Sequence, residues 1–169
     1  MKKFTLFLVL ILISIVACND DNKSFTDQYD KLLTENDSLH KTHMKYQENN
    51  QMMMQEHKAI VEEIQNVVVK DSTVFEDLAQ HEVIIKKHEG MLAGHEILLE
   101  GHEELRDNFG SLTTDEMKAQ ISEMGQVHKK IKEEHSIMRQ EHERLMQEHE
   151  NIRTKFQKVK PEDEKEEDQ

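Results

Sequence analysis

The sequence predicts an all-α fold: an elongated antiparallel helical bundle or coiled coil of about three long helices, following a signal peptide. Three observations carry this. The 169 residues contain a single proline, Pro161, and five glycines, so little between residues 24 and 160 breaks a helix. Charged residues make up 34% and aromatics 5%, with no Trp, a composition that does not build a thick globular core. Apolar residues recur in steps of three and four along most of the chain, the periodicity of a helix seam.

Residues 1–17 read as address rather than fold. Lys2 and Lys3 precede an apolar run from Phe4 to Val16, interrupted only by Thr5 and Ser14, and Ala17 supplies the small residue before a cut. The run is shorter than the roughly 20 residues a spanning helix needs. Ile15-Val16-Ala17-Cys18 resembles the lipobox of bacterial lipoproteins. That resemblance implies an acylated Cys18, the lipid bilayer as a partner and the bacterial cell envelope as location, the outer membrane or cell surface ahead of the inner membrane. The competing reading is an ordinary secretory signal followed by a chance cysteine. As the only cysteine, Cys18 forms no internal disulfide. Residues 18–24 form a tether, and Asn19-Asp20-Asp21-Asn22 resembles the acidic export signals that follow some lipidated cysteines, although a solvated acidic spacer has the same composition.

The helical region is expected over 25–160. Phe25, Leu32, Leu39, Tyr46, Met53, Ile60, Val67 and Val74 fall seven apart and form one heptad row. Tyr29, Asn36, His43, Asn50, His57 and Ile64 form the second, partly polar row, as in a seam that carries register-setting groups. A first helix is placed at about 24–70. Val67-Val68-Val69 lowers helix propensity and Thr73-x-x-Glu76 matches a capping box, which puts a break near 70–73. The unslipped heptad frame leaves one continuous rod as the alternative.

The second helix, about 73–108, carries Leu78, Ile85, Leu92 and Leu99 in one row and Ile84, Met91, Leu98 and Leu105 beside it, a stripe wide enough for two neighbours. Phe109-Gly110-Ser111 is expected to stop it, and Thr113-x-x-Glu116 to start a third helix at about 114–159. Gly94 and Gly101 are expected to permit close helix approach. Residues 161–169 form an acidic tail expected to be disordered.

Eight of the eleven histidines stand in two heptad ladders: His81, His88, His95 and His102, then His128, His135, His142 and His149. Three readings are open. The first is a structural polar seam, which duplication of a His-Glu heptad unit would also produce. The second is capture of a divalent metal such as Zn, Ni or Cu. Histidines seven apart on one helix lie about 10.5 Å from one another, so any shared ion needs ligands from different helices. A hairpin that sets the ladders side by side gives one histidine from each, joined by His43 or His57, which suits a weakly bound ion. The third is a pH response, in which flanking Glu82, Glu89, Glu134, Glu141 and Glu148 soften the charging of buried imidazoles. Met52-Met53-Met54 reads as packing rather than a copper site.

A formal net charge of -13 argues against nucleic acid and anionic headgroups as partners and leaves cations and basic proteins. No phosphate loop, paired-Cys motif, nucleophile set or His-Glu-x-x-His is present, and a narrow helical rod rarely builds the enclosed pocket that catalysis needs, so no enzyme is expected and no resident cofactor beyond a weakly held metal. The mature region resembles small coiled-coil lipoproteins labelled by likeness to viral A-type inclusion proteins, a resemblance of composition that implies no activity. Leu112-Thr113-Thr114-Asp115-Glu116 is similar to helix starts of periplasmic metal-stress and chaperone proteins, although it occurs once and lacks their matching glutamine. The expected function is therefore a membrane-anchored, noncatalytic coiled-coil lipoprotein acting as envelope spacer, scaffold or interaction arm, with self-association or a protein partner. Metal buffering or sensing and chaperone-like binding are the alternatives.

Overall fold

A computed structural model of the chain describes residues 2–65 and 73–157, with side chains described over 23–65 and 73–155. The fold is all-α. Its elements are α1 (Lys2–Gln65), α2 (Thr73–Glu104), the single turn α3 (Arg106–Phe109) and α4 (Thr114–Gln157). Among the described residues no helix is long and apolar enough to cross a membrane. The residues expected to hold the first break lie largely in 66–72, outside the described residues, as do the 158–169 tail and the side chain of Cys18.

Several expected boundaries shift. The first helix does not begin near residue 24: it runs from Lys2, because nothing from there to Gln65 is Gly or Pro. The second helix ends at Glu104, not 108; Leu105 interrupts it before α3. The helical run stops at Phe109, where Phe109-Gly110-Ser111 is expected to end it, although Gly110 stays in the right-handed region with φ of -66° and ψ of -14°. Two stacked turns reverse the chain there instead, Ser111 N–H donating to the Asn108 carbonyl at 3.0 Å and Leu112 N–H to that of Phe109 at 3.2 Å. Gly94 and Gly101 are not close-approach points either, because a Cβ at each would meet nothing within 4 Å.

The start of α4 is the reciprocal capping box that the sequence announces. Thr113 N–H and its hydroxyl both donate to the Glu116 carboxylate at 2.7 Å, and the Glu116 N–H returns to the Thr113 hydroxyl at 3.4 Å. Those bonds satisfy donors that the first turn cannot use internally, and they hold the Glu116 carboxyl below the usual range.

The chain divides into two compact units, Met1–Lys41 with Glu96–Lys132, and Thr42–His95 with Glu133–Gln169. In the first, Tyr29, Leu33, Phe109, Met117 and Met124 form the core, with the Tyr29 and Phe109 rings stacked 3.8 Å apart. The Tyr29 hydroxyl donates to the His102 carbonyl at 3.4 Å, so the buried phenol is not left without a partner. Leu39, Leu99 and Ile131 make a second apolar layer.

In the second unit, Met53, Ile85 and Leu145 form one apolar layer, and Ile60, Ile64, Val74, Leu78 and Ile152 form another. Each layer takes residues from α1, α2 and α4. Moving along this unit, seven residues forward on α1 and α4 go with seven back on α2, so α1 and α4 run parallel and α2 antiparallel to both. The partly polar row of α1 is its innermost face: Asn36, His43, Asn50 and His57 are buried, whereas Phe25, Leu32 and Tyr46 of the apolar row are only half-buried.

Candidate metal centres

Between the apolar layers lie polar ones, and they are of two kinds. All eight ladder histidines are buried, as are Asn36, His43, Asn50 and His57, so each polar layer combines one residue of α1, one histidine of α2 and one of α4. Where α1 supplies Asn the layer is closed by hydrogen bonds. Where it supplies His, the layer is three imidazoles.

The first unit contains Asn36, His102 and His128. The Asn36 amide donates to the Leu99 carbonyl at 3.0 Å, and its oxygen accepts from His102 Nδ1 at 3.2 Å and His128 Nε2 at 3.1 Å. His128 Nδ1 lies 3.2 Å from Glu35, which also pairs with Lys132 and is held below the usual carboxyl range chiefly by that lysine. The second unit repeats the pattern with Asn50, His88 and His142. Asn50 donates to the Ile85 carbonyl at 3.2 Å and accepts from His142 Nε2 at 3.2 Å. His142 Nε2 is also 3.1 Å from His88 Nδ1, while His88 Nε2 donates to Glu141 at 2.5 Å. Every polar atom named in these layers has a partner, as buried polar groups require.

The two all-histidine layers both belong to the second unit. His43, His95 and His135 bring three ligand nitrogens within 4.8 Å of one another, and so do His57, His81 and His149. In the latter set His57 Nδ1 and His149 Nε2 are already 3.4 Å apart, close to the separation of two nitrogens each about 2.0–2.1 Å from a tetrahedral zinc. Four buried imidazole atoms have no hydrogen-bond partner among the described residues: His81 Nδ1, His95 Nδ1, His135 Nε2 and His149 Nδ1. All four belong to these two layers. Leaving a buried polar atom unsatisfied costs about 1–3 kcal/mol, and a metal ion would take up lone pairs such as those of His81 Nδ1, His95 Nδ1 and His135 Nε2.

The electrostatics favour neutral, ligating imidazole. Burial pushes His135 and His149 down to about 4, with the neighbouring histidines of each triad acting in the same direction. Burial also lowers His57 and His81, against the pull of Glu148 and Asp77 on His81. Negative charge stands just outside: Glu134 accepts from His95 at 2.6 Å and Glu148 lies 2.8 Å from His81. A recess of about 210 Å³ lined by Asp77, His81, Arg144 and Glu148, among others, opens beside His81 of the second triad.

Of the eight ladder histidines, four thus enter triads: His81, His95, His135 and His149, joined by His43 and His57. The other four, His88, His102, His128 and His142, close asparagine layers. The sequence identified every one of these histidines, and three of its five flanking glutamates, Glu134, Glu141 and Glu148, do meet one, at His95, His88 and His81. Glu82, turned outward one step past His81, pairs with Lys86 on the surface and eases the charging of His57 through its charge alone. Met53 packs with Ile85 and Leu145, as its heptad position implies.

No family model, curated protein or solved structure matches this chain, so the reading of these layers rests on their chemistry.

Proposed function

We propose that this chain is a noncatalytic envelope lipoprotein that captures divalent transition metals, zinc, nickel or copper, one in each of its two buried tri-histidine layers. The observation that carries this reading is the convergence of three buried imidazoles in each layer, among which His81 Nδ1, His95 Nδ1 and His135 Nε2 meet no hydrogen-bond partner among the described residues. Three neutral nitrogens are the donor set that borderline and soft divalent ions prefer, and they leave a fourth position for water. A lipid on Cys18 would keep the captured ion at the membrane, in a buffering or sensing role.

Calorimetric titration of each ion into the full chain tests the capture. Saturation near two ions per chain is expected. His135→Asn and His149→Asn should each remove one site, and His142→Asn, in an asparagine layer, should remove none. Absence of saturable uptake, or equal sensitivity to all three substitutions, would sink the reading.

A scaffold, spacer or interaction arm is the second reading, favoured by Asn36 and Asn50, whose amides bond α2 carbonyls and set register without any ion. The anchor is common to both readings. In bacterial cells Cys18→Ser is expected to move the chain from the membrane fraction to the soluble fraction; retention in the membrane fraction would remove the anchor.

A further inference from the structure

We infer that Glu134 and Glu148 are positioning residues of the two metal sites, each holding the α2 histidine of its layer through Nε2–H so that the ion is taken by Nδ1. The inference rests on the metal reading above and names how its sites are set.

Each α4 triad histidine is preceded by a glutamate, Glu134 before His135 and Glu148 before His149. A side chain one residue back on a helix is turned about 100° from its neighbour. The histidine therefore points into the layer while the glutamate reaches around its rim to α2. There it meets the α2 histidine of the same layer, His95 Nε2 at 2.6 Å and His81 Nε2 at 2.8 Å. An Nε2 that donates to a carboxylate fixes the neutral tautomer with a bare Nδ1, and Nδ1 is the buried atom without a partner in both residues. One dipeptide thus supplies a ligand and orients another.

The Asn50 layer shows the same pairing with a different outcome. Glu141 holds His88 by Nε2, and His88 Nδ1 is again freed, but there His142 Nε2 lies 3.1 Å from it and Asn50 completes the set. The carboxylate fixes the tautomer in all three layers of this unit, and the α1 residue decides whether the lone pair meets a proton or awaits an ion. A carboxylate on the far side of an imidazole also raises its basicity as a ligand and offsets part of the dication's charge. Among the described residues, Arg144, 3.4 Å from Glu148, Asp77 beside His81, Glu82 acting on His57 and Arg153 acting on His149 are other charged groups around the second site.

Long-range proton–nitrogen NMR correlations on the metal-free chain, followed by zinc titration, form the test. The metal-free spectra should show the Nε2–H tautomer at His81 and His95, and zinc should shift Nδ1 while Nε2 keeps its proton. Glu148→Ala should weaken the His57–His81–His149 site about 10–100-fold and leave the other site unchanged. Glu134→Ala should do the reverse, and Glu148→Gln, whose amide oxygen still accepts, should recover part of the loss. An Nδ1–H tautomer at His81 in the metal-free chain overturns the inference, as does a Glu148→Ala variant that binds both ions as tightly as the parent. A parent chain that takes up no zinc removes the metal reading and this one with it; because the tautomers are read before any metal is added, a failure of positioning and a failure of capture leave different records.

Discussion

Acidification from pH 7.5 to pH 5 is expected to unfold the metal-free chain. His102, His135, His142 and His149 are held down to about 4 by burial, against about 6.5 in an open chain. Between those values the unfolded chain binds more protons than the folded one, so stability rises with pH across that window. It is fully present above about pH 6.5 and is lost as the pH falls toward 4. At pH 5 each such histidine forfeits about 2 kcal/mol. Four of them forfeit roughly as much as the 5–15 kcal/mol that holds a typical domain together. Glu35 and Glu141, both held below their usual range, stay ionised in the upper part of this window and, by the same linkage, add to the loss as the pH falls into the carboxyl range. Thermal melts followed by circular dichroism at half-unit pH steps measure this. A midpoint that stays flat from pH 7.5 to 5 would show that the imidazoles charge without leaving their layers.

Zinc should act in the opposite direction. An ion that binds only the folded state stabilises it by about 4 kcal/mol at a free concentration of about 1,000 times its dissociation constant. Two sites together contribute about 8 kcal/mol. For a chain of this size that raises the melting midpoint on the order of 15–30 °C. His149→Asn should halve the shift, and EDTA should abolish it. Ligation needs neutral imidazole, so the gain should fade over the same acidic window in which the apo fold fails. A midpoint unmoved by saturating zinc would place the histidine layers with the asparagine layers as packing alone.

What was legible in the sequence was legible for local reasons. The Thr113–Glu116 box lies within one turn, so its four residues announce it without reference to the rest of the fold. The heptad rows gave the inward face of each helix, and the buried positions from Tyr29 to Ile152 follow them closely. The composition of a layer needed one further assumption, a hairpin that brings the ladders together, and His43 and His57 were named as third members on that basis. Glu134, Glu141 and Glu148 stood among the flanking glutamates, but which of the five reach a histidine was out of reach, because Glu134 and Glu82 look alike in sequence, each adjoining a ladder histidine. Only the packing of three helices turns one toward His95 and the other toward Lys86. The division between asparagine and histidine layers was present in the α1 row, but its meaning depends on which α2 carbonyl lies opposite, Leu99 for Asn36 and Ile85 for Asn50. The interruption at Leu105 has no breaker residue to mark it, and the outward-facing glycines carried no signal distinguishing them from packing ones.

The seven-forward, seven-back, seven-forward step that relates α1, α2 and α4 in the second unit also constrains how such a chain changes length. An insertion of seven residues in one helix alone would slide each later layer of that helix by one step, setting an asparagine or histidine from one polar layer among the histidines of the next. A heptad added to all three helices together leaves each existing layer intact and inserts one complete new one. A histidine in the added α1 heptad would make it an ion site, and an asparagine would make it a hydrogen-bonded spacer. If the histidine layers take metal as proposed, capacity grows or shrinks in whole units, and a relative with longer helices is expected to hold more ions of the same kind rather than sites of a new design.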